Sequence, residues 1–378
     1  MTLKMYKPKI LLLVDYPNWA FDFIAKSIKK RLSDQFNFTI KYSALNETLD
    51  ATEVDLVHVF CWGSEYYKQF NFKKEQIIKE VASERWNYED LYGHLNAKEF
   101  AFKYLNDCSF VVTPALSIYE KIKGYTCEVI HLPNGVESDY FHPPRRKKTS
   151  SKLTIGWVGN PNDPNKGLFN ILLPAVGGHT LLSTNGRMSR NQLSNFYKEI
   201  DVLAITSVSE GQPLPLLESM SAGCFPVVTN VGIVPEIIIN GINGLVINRS
   251  VDSFKEAFEW CEKNIDLIRS IGSTNRNLAI SRSWDQCICR FDEVYHYAYR
   301  NKVGLPNNKI NSIFCFDSSS ITYNSKRIDD YIPYSKWLQH FRQNTSEIWS
   351  RFWLGDPYVP GFRQKLESKI SDLSRYFR

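Results

Sequence analysis

The sequence predicts an α/β protein of two domains, each built on a parallel β-sheet. Short apolar strands alternate with helical segments along most of the chain, and continuous apolar strands of this kind are typical of parallel sheets covered by helices. The 378 residues are too many for one small core and fit two domains of ordinary size. Hydrophobic residues make up 43% of the chain and aromatic residues 14%, enough material for two buried sheets.

The first half of the chain alternates between predicted strands and helices. The apolar run that ends at Val14 is too short for a signal-peptide core, so it is predicted as the first strand. A polar and basic segment, 145–151, follows the last strand of this half and predicts a linker, which gives a first domain of residues 1–150. The predicted strands are 9–14, 38–42, 55–59, 77–81, 110–113 and 129–132, with helices at 21–32 and 97–105.

The second half, residues 151–283, has the same alternation. One helix is predicted to begin between Gln212 and Pro215, because prolines suit a first turn whose N–H groups have no helical partner. Gly223 offers the left-handed residue that commonly ends a helix. The predicted strands are 153–158, 180–183, 202–205, 225–229 and 245–247, with further helices at 192–198, 235–239 and 284–299.

Two glutamates flank the start of that helix. Glu210 and Glu218 have seven residues between them, which places one carboxylate in the approach loop and the other about two turns into the helix. A helix N-terminus reached from a strand is a natural site for an anion. Both carboxylates are therefore predicted to face one bound ligand.

This stretch resembles the nucleotide-sugar site of the retaining glycosyltransferases of family four, the group 1 type, which have the GT-B fold. The order of residues in their pattern is matched over about forty positions, and a second match, to the end of their first domain, occurs at 133–136 and 141–143. The resemblance implies two Rossmann-like domains with parallel sheets that face a central cleft, and a helix, 284–300, that returns to the first domain. The matching positions are Glu210, Glu218, 221–228, Gly232, Glu236, Asn243 and Gly244.

The resemblance also implies roles for individual residues. Lys166 would hold the donor diphosphate, Glu210 would stabilise the sugar, and His58, at a strand end of the first domain, would lie near that sugar. Asn160 stands where the family has an arginine, so one expected cation is missing. Glu84 occupies the loop in which a histidine facing the sugar is expected. The implied nucleotide contacts are Glu218 with the ribose, Gly211, Gln212, Pro213 and Leu214 with the phosphates, and Asn160, Arg187 and Met188 in the loops around the base and diphosphate.

Composition and sequence motifs limit the kinds of ligand and partner that this chain is expected to bind. The net charge of +6 is far below the dense basic surface that duplex DNA binding usually needs. The eight cysteines show no zinc-ligand spacing and are predicted to be reduced thiols of a cytoplasmic protein, and no run approaches the length of a membrane span. No Asp-x-Asp occurs, so we predict no metal site and no cofactor, with protein cations and helix dipoles in place of a metal. The absence of Gly-x-Gly-x-x-Gly after either first strand argues against a dinucleotide oxidoreductase.

Three functions are consistent with these observations. The leading one is a retaining hexosyltransferase that moves a sugar from a nucleotide-diphosphate-sugar to a glycan or lipid-linked hydroxyl, in surface polysaccharide or glycolipid synthesis. The aromatic and basic extension, 301–378, is compatible with core packing, acceptor binding or peripheral contact with the inner face of the membrane. The alternatives are a glycosyltransferase acting on nucleic acid and a catalytically silent GT-B module that binds glycans or partners.

Overall fold

The computed structural model describes residues 6–145, 150–184, 186 and 188–316. Within this part of the chain the backbone forms two parallel β-sheets, both inside the compact unit Met1–Phe316. Most of the predicted extension, 317–378, lies outside the described residues. So do positions 146–149 of the predicted linker.

The first sheet has the strand order β2-β1-β3-β4-β5-β6, and all of its pairings are parallel. Side chains of β1 alternate between the two faces: Ile10, Leu12 and Val14 join one core cluster, and Leu11 and Leu13 join the other. The elements are β1 Lys9–Val14, α1 Ala20–Leu32, β2 Asn37–Tyr42, β3 Leu56–Val59, β4 Ile77–Glu80, α2 Arg85–Tyr88, α3 Ala97–Tyr104, β5 Phe110–Thr113, α4 Leu116–Ile122 and β6 Glu128–His131.

The second sheet has the order β11-β10-β9-β7-β8, again parallel throughout. A π-helical turn, Leu168–Leu172, leads directly into its first helix. The elements are β7 Thr154–Trp157, α5 Leu173–Val176, β8 Thr180–Ser183, α6 Arg190–Glu199, β9 Val202–Ile205, α7 Leu214–Ser221, β10 Phe225–Thr229, α8 Val234–Ile237, β11 Leu245–Ile247, α9 Val251–Lys263 and α10 Ile265–Ser281.

The last described helix, α11 (Trp284–Val303), leaves the second sheet and packs on the first. Its buried side chains belong to the core cluster that contains Ile10, Leu12 and Val14 of β1. These side chains are Phe291, Val294, Tyr295 and Ala298. An isolated bridge pairs Val136 with Ser283, at the two points where the chain passes between the sheets. None of the described helices is both long and apolar enough to cross a membrane.

The two sheets meet through the loops at the carboxyl ends of their strands. Gly211, after β9, lies so close to the loop after β4 that a Cβ atom on it would come within 2.3 Å of the carbonyl oxygen of Ala82. The backbone N–H of Glu84 donates to Oγ of Ser209 at 2.7 Å, and the N–H of Leu116 donates to Glu236 at 2.8 Å. These contacts hold the strand ends of the two domains against each other.

Candidate donor site

Lys166 and Glu210 meet at the topological switch point of the second sheet. In the order β11-β10-β9-β7-β8, strand β7 lies between β8 and β9, so the connections from β7 and β9 run to opposite sides. Ligands of doubly wound sheets bind in the crevice at this point, outside the carboxyl ends of the strands. Lys166 follows β7 and Glu210 follows β9, and Nζ of Lys166 lies 2.5 Å from Oε1 of Glu210.

The loop that carries Lys166 is held by polar contacts of its own. Asp163 caps the short turn Pro164–Lys166 and accepts the N–H of Asn165 at 3.1 Å. The buried Asn165 side chain exchanges two hydrogen bonds of 2.9 Å with the backbone of Ser209, which ties this loop to the one that carries Glu210. Gly167 ends the turn at φ +69°, with the carbonyl of Thr206 where a Cβ would lie, so only glycine fits.

The Glu210 carboxylate is already occupied by donors of its own domain. Its Oε1 accepts from Lys166 and from Oγ of Ser207, the latter at 2.7 Å. The glutamate side chain is 13% exposed and that of Lys166 is 23% exposed. The pair is therefore partly screened from water and still reachable from the cleft, where its cation and its carboxylate are available to two parts of one ligand.

The segment 211–214 lies at the contact between the domains. Gln212 donates to the carbonyl of Asn134 at 2.6 Å and accepts the N–H of the same residue at 2.8 Å. Leu214 packs against the core cluster of the first domain, and Pro213 is buried. The Gln212 side chain thus braces the two domains. In the described part of the chain no side chain caps the start of α7, which leaves anion binding there to the backbone.

Glu218 lies on α7, buried and paired within the second domain. Oη of Tyr197 donates to Oε2 of Glu218 at 2.9 Å, and Nη1 of Arg190 lies 3.5 Å from Oε1. Burial raises the pKa of Glu218, opposed by the charge of Arg190 and the hydrogen bond from Tyr197. The Arg190 guanidinium in turn lies over the rings of Phe23, Tyr140 and Phe141.

The remaining predicted nucleotide contacts lie in neighbouring loops. Asn160 accepts the N–H of Asn162 through Oδ1 at 3.1 Å, so its side chain is used inside its own turn. Gly186 lies beside it, since a Cβ on Gly186 would be 3.4 Å from Cα of Asn160. Met188, just before α6, is half-buried. Arg187 lies outside the described residues, and its predicted role stays a prediction.

His58 lies in the interior of the first domain, apart from Lys166 and Glu210. It is completely buried in β3, its Nδ1 lies 2.9 Å from Oη of Tyr295, and its Nε2 lies 3.5 Å from Glu80. Burial lowers the pKa of His58 to about 3 and raises that of Glu80 to about 8, so the pair is uncharged at neutral pH. These surroundings do not fit the catalytic role expected of His58.

Several residues of the site carry no signal in the sequence. Arg85 of α2 pairs with Asp163 across the cleft. Glu84, which occupies the loop where a histidine facing the sugar is expected, pairs with Lys121 of its own domain. Arg190 and Tyr197, the partners of Glu218, lie in a helix whose pattern shows only amphipathicity. Such pairs join distant segments, so spacing along the chain carries no signal for them. Within the described ranges no cluster of three or more His, Cys, Asp or Glu side chains is arranged to hold a metal ion.

Fold and site together define the class. Two doubly wound parallel sheets meet at the carboxyl ends of their strands, and α11 returns from the second sheet to the first. Lys166 and Glu210 meet at the switch point of the second sheet. This is the GT-B fold, as the sequence predicts. Residues 182–278 match the family model described as "Glycosyl transferases group 1", which confirms the predicted resemblance over this segment.

A curated relative also matches part of this chain. An uncharacterized glycosyltransferase of Methanocaldococcus jannaschii is 28% identical over 111 residues, a match that covers 29% of this chain and 32% of that protein. The chain thus spans about a third of the length of this curated relative.

Similar structures support the fold. Sucrose-phosphate synthase from Thermosynechococcus elongatus superposes with a TM-score of 0.62 at 12% identity, covering 78% of this chain and 100% of that one. Anabaena HepE in complex with UDP and glucose gives a TM-score of 0.56 at 12% identity, with coverages of 76% and 99%. A glycosyltransferase from Rickettsia africae gives 0.54 at 14% identity, with coverages of 79% and 99%. At these identities the similarity establishes the fold.

Proposed function

We propose that this protein is a retaining glycosyltransferase, of the hexosyltransferase type, that moves a sugar from a nucleotide-diphosphate-sugar to a hydroxyl of a glycan or lipid-linked acceptor. The pathway we propose is surface polysaccharide or glycolipid synthesis in the cytoplasm. The observation that carries the proposal is the contact between Lys166 and Glu210 at the switch point of the second sheet. Retention of the anomeric configuration rests on the family resemblance.

The chemistry of the transfer needs both members of this pair. When the bond between the anomeric carbon and the diphosphate oxygen breaks, negative charge develops on the leaving phosphate and positive charge on the sugar ring. A fixed cation stabilises the first and a fixed carboxylate the second, more strongly in a partly buried site than in water. Lys166 and Glu210 supply these two charges, and their contact places them side by side.

The nucleotide half of the donor is assigned to the neighbouring loops. Glu218 would accept hydrogen bonds from the ribose hydroxyls, for which a carboxylate is suited. The backbone at the start of α7 would bind phosphate, and the loop around Met188 would meet the base. Protein cations would take the place of a metal, and no cofactor is required. HepE is a fold neighbour that binds UDP, which makes UDP the first nucleotide to test.

A direct test is transfer itself. UDP-, GDP- and ADP-sugars are incubated with the protein, nucleoside diphosphate release is followed, and the anomeric configuration of the product is read by NMR. The proposal expects product with the configuration of the donor, and strongly reduced release by Lys166→Ala. Lys255→Ala, an exposed lysine on α9 of the same domain, is the matched control and should keep wild-type release. An inverted product would contradict the retaining mechanism.

A second candidate is the silent binding module, which Asn160 favours because it stands where an arginine is expected. Nucleotide binding without hydrolysis or transfer, for every donor and acceptor tried, would support it. Membrane contact and nucleic-acid binding are both suggested by the aromatic and basic extension, most of which lies outside the described residues. A steep fall in nucleic-acid affinity with salt would favour the latter.

A further inference from the structure

Arg85 brings a cation of the first domain to the donor loop of the second. It is the first residue of α2, where its Nη1 donates to Oε1 of Glu89 at 2.7 Å. Its Nη2 donates to Oδ2 of Asp163, which belongs to the loop after β7. The guanidinium therefore crosses from one domain to the other at the carboxyl ends of the two sheets.

The loop that Arg85 reaches is the one that lacks its expected cation. The N–H of Asp163 donates to the carbonyl of Asn160 at 3.1 Å, and Asp163 caps the turn that ends at Lys166. Arg85 thus pairs with Asp163, one of the residues between Asn160 and Lys166 in the chain. Burial lowers the pKa of the Arg85 guanidinium, but the hydrogen bond and charge of Asp163, with the charges of Glu89 and Glu210, raise it on balance. Glu210, the partner of Lys166, is close enough to contribute.

The chemistry of the side chain suits a diphosphate. A guanidinium has five N–H donors in a planar fork that matches phosphate oxygens, so two carboxylate contacts do not exhaust it. The Arg85 side chain is 32% exposed, so a ligand in the cleft can reach it.

Other arginines near the site are engaged differently. Arg190 is directed at Glu218 and lies among aromatic rings. Arg249 donates its Nε to the carbonyl of Thr206 at 2.8 Å. Neither forms a bond to the loop of Asn160 and Asp163 among the contacts of the described residues.

We propose that Arg85 binds the diphosphate of the donor across the cleft. When the nucleotide enters, the guanidinium exchanges its contact with Asp163 for contacts with phosphate oxygens. This rests on the proposed function, because it requires a nucleoside diphosphate beside Lys166. It makes the donor site a product of both domains. Asp163 then holds Arg85 in place while the site is empty and competes with the ligand for it.

Substitutions of the two members of this ion pair should affect UDP binding differently. Titration calorimetry with UDP and with uridine is carried out on the wild type, Arg85→Gln, Arg85→Lys and Asp163→Asn. Arg85→Gln should weaken UDP binding about tenfold to a hundredfold and leave uridine binding unchanged. Asp163→Asn should bind UDP as tightly as the wild type or more tightly, because a competing carboxylate is gone. Arg85→Lys should fall between them.

The control is Arg31→Gln, since Arg31 is also a partly buried arginine that bridges two carboxylates, Glu137 and Asp285, but belongs to α1. It should leave both affinities unchanged. Equal weakening of UDP binding by Arg85→Gln and Asp163→Asn would overturn the proposal and identify the pair as an interdomain latch. Equal loss of UDP and uridine binding in Arg85→Gln would also overturn it, as a structural effect.

Failure of the proposed function gives a different result. GDP and ADP are titrated alongside UDP, and the nucleotide that the wild type binds is carried through the variants with its nucleoside. A wild type that binds none of the three contradicts the donor site as a whole, and the Arg85 proposal with it. If the wild type and Arg85→Gln bind one of these nucleotides equally tightly, only the Arg85 proposal is overturned.

Discussion

Lys166 and Glu210 are 44 positions apart in the chain, yet Nζ of one lies 2.5 Å from a carboxylate oxygen of the other. Adjacent parallel strands, β7 and β9, bring their loops together, and the Asn165 side chain fixes one loop to the other. The position of this ion pair at the switch point makes it the centre of the proposed donor site.

Removing the cation of this pair should cost the enzyme most of its rate. Lys166→Ala should lower kcat by about 10²–10³-fold, the effect of losing one preorganised group that stabilises transition-state charge. Glu210→Gln should lower it comparably while retaining the fold, because Gln keeps an oxygen for Ser207. Steady-state kinetics of nucleoside diphosphate release measure both. Wild-type kcat in Lys166→Ala would remove the pair from the chemistry.

The charge of Glu218 should matter for the nucleoside and not for the phosphates. Glu218→Gln keeps the volume and an acceptor for Tyr197 but loses charge-assisted hydrogen bonding, so uridine affinity should fall roughly tenfold. Titration of uridine and of pyrophosphate separates the two halves of the ligand, and pyrophosphate affinity should not change. Glu256→Gln, an exposed carboxylate on α9, is the control. A loss confined to pyrophosphate would mean that Glu218 faces the phosphates.

Gln212 should contribute to stability through its contact with the first domain. Gln212→Ala leaves the buried backbone N–H and carbonyl of Asn134 without these partners, at a cost of about 1–3 kcal/mol in the free energy of unfolding. Urea denaturation measures this against Gln286→Ala, an exposed glutamine on α11 for which a change under about 0.5 kcal/mol is expected. Equal stability of the two variants would show that the brace carries no energy.

Glu80 should make stability depend on pH. Burial raises its pKa from 4.5 to about 8, so the folded state holds a proton that the unfolded state releases. The resulting stabilisation is complete below pH 4.5 and is lost as the pH rises through 8. Between pH 6 and pH 9 the wild type should therefore lose about 3 kcal/mol relative to Glu80→Gln, which has no proton to release. Urea denaturation at both pH values measures it, and parallel curves for the two proteins would place Glu80 in a polar environment.

Much of the fold was accessible from the sequence because its signals are local. Continuous apolar strands predicted β1, β5, β8, β9 and β10 at their observed positions, and the glycine at 223 ends α7 in the left-handed region with φ +83°. The helices α9 and α10 were not predicted. Strand order was also beyond the sequence, because periodicity describes one element and not its neighbours.

The sequence predicted the site residues that lie together in one segment. It did not predict the side-chain contacts between segments that are distant in the chain. The spacing of Glu210 and Glu218 is written in a single run of residues. The brace formed by Gln212, the pairing of Arg85 with Asp163 and the burial of His58 depend on which side of the cleft each side chain faces. For His58, the family resemblance implies a position near the sugar, but the return of α11 covers it with Tyr295.

Nucleotide-dependent thermal stabilisation is the most direct test of the central claim, that the second domain holds a nucleoside diphosphate between Lys166 and Glu218. Melting temperatures are measured with UDP, GDP, ADP and CMP and their common sugar conjugates, for the wild type, Glu218→Ala and Lys166→Ala. We predict stabilisation of the wild type by one nucleotide and its loss in both variants. Absence of stabilisation by every nucleotide, or equal stabilisation of all three proteins, would contradict the donor site.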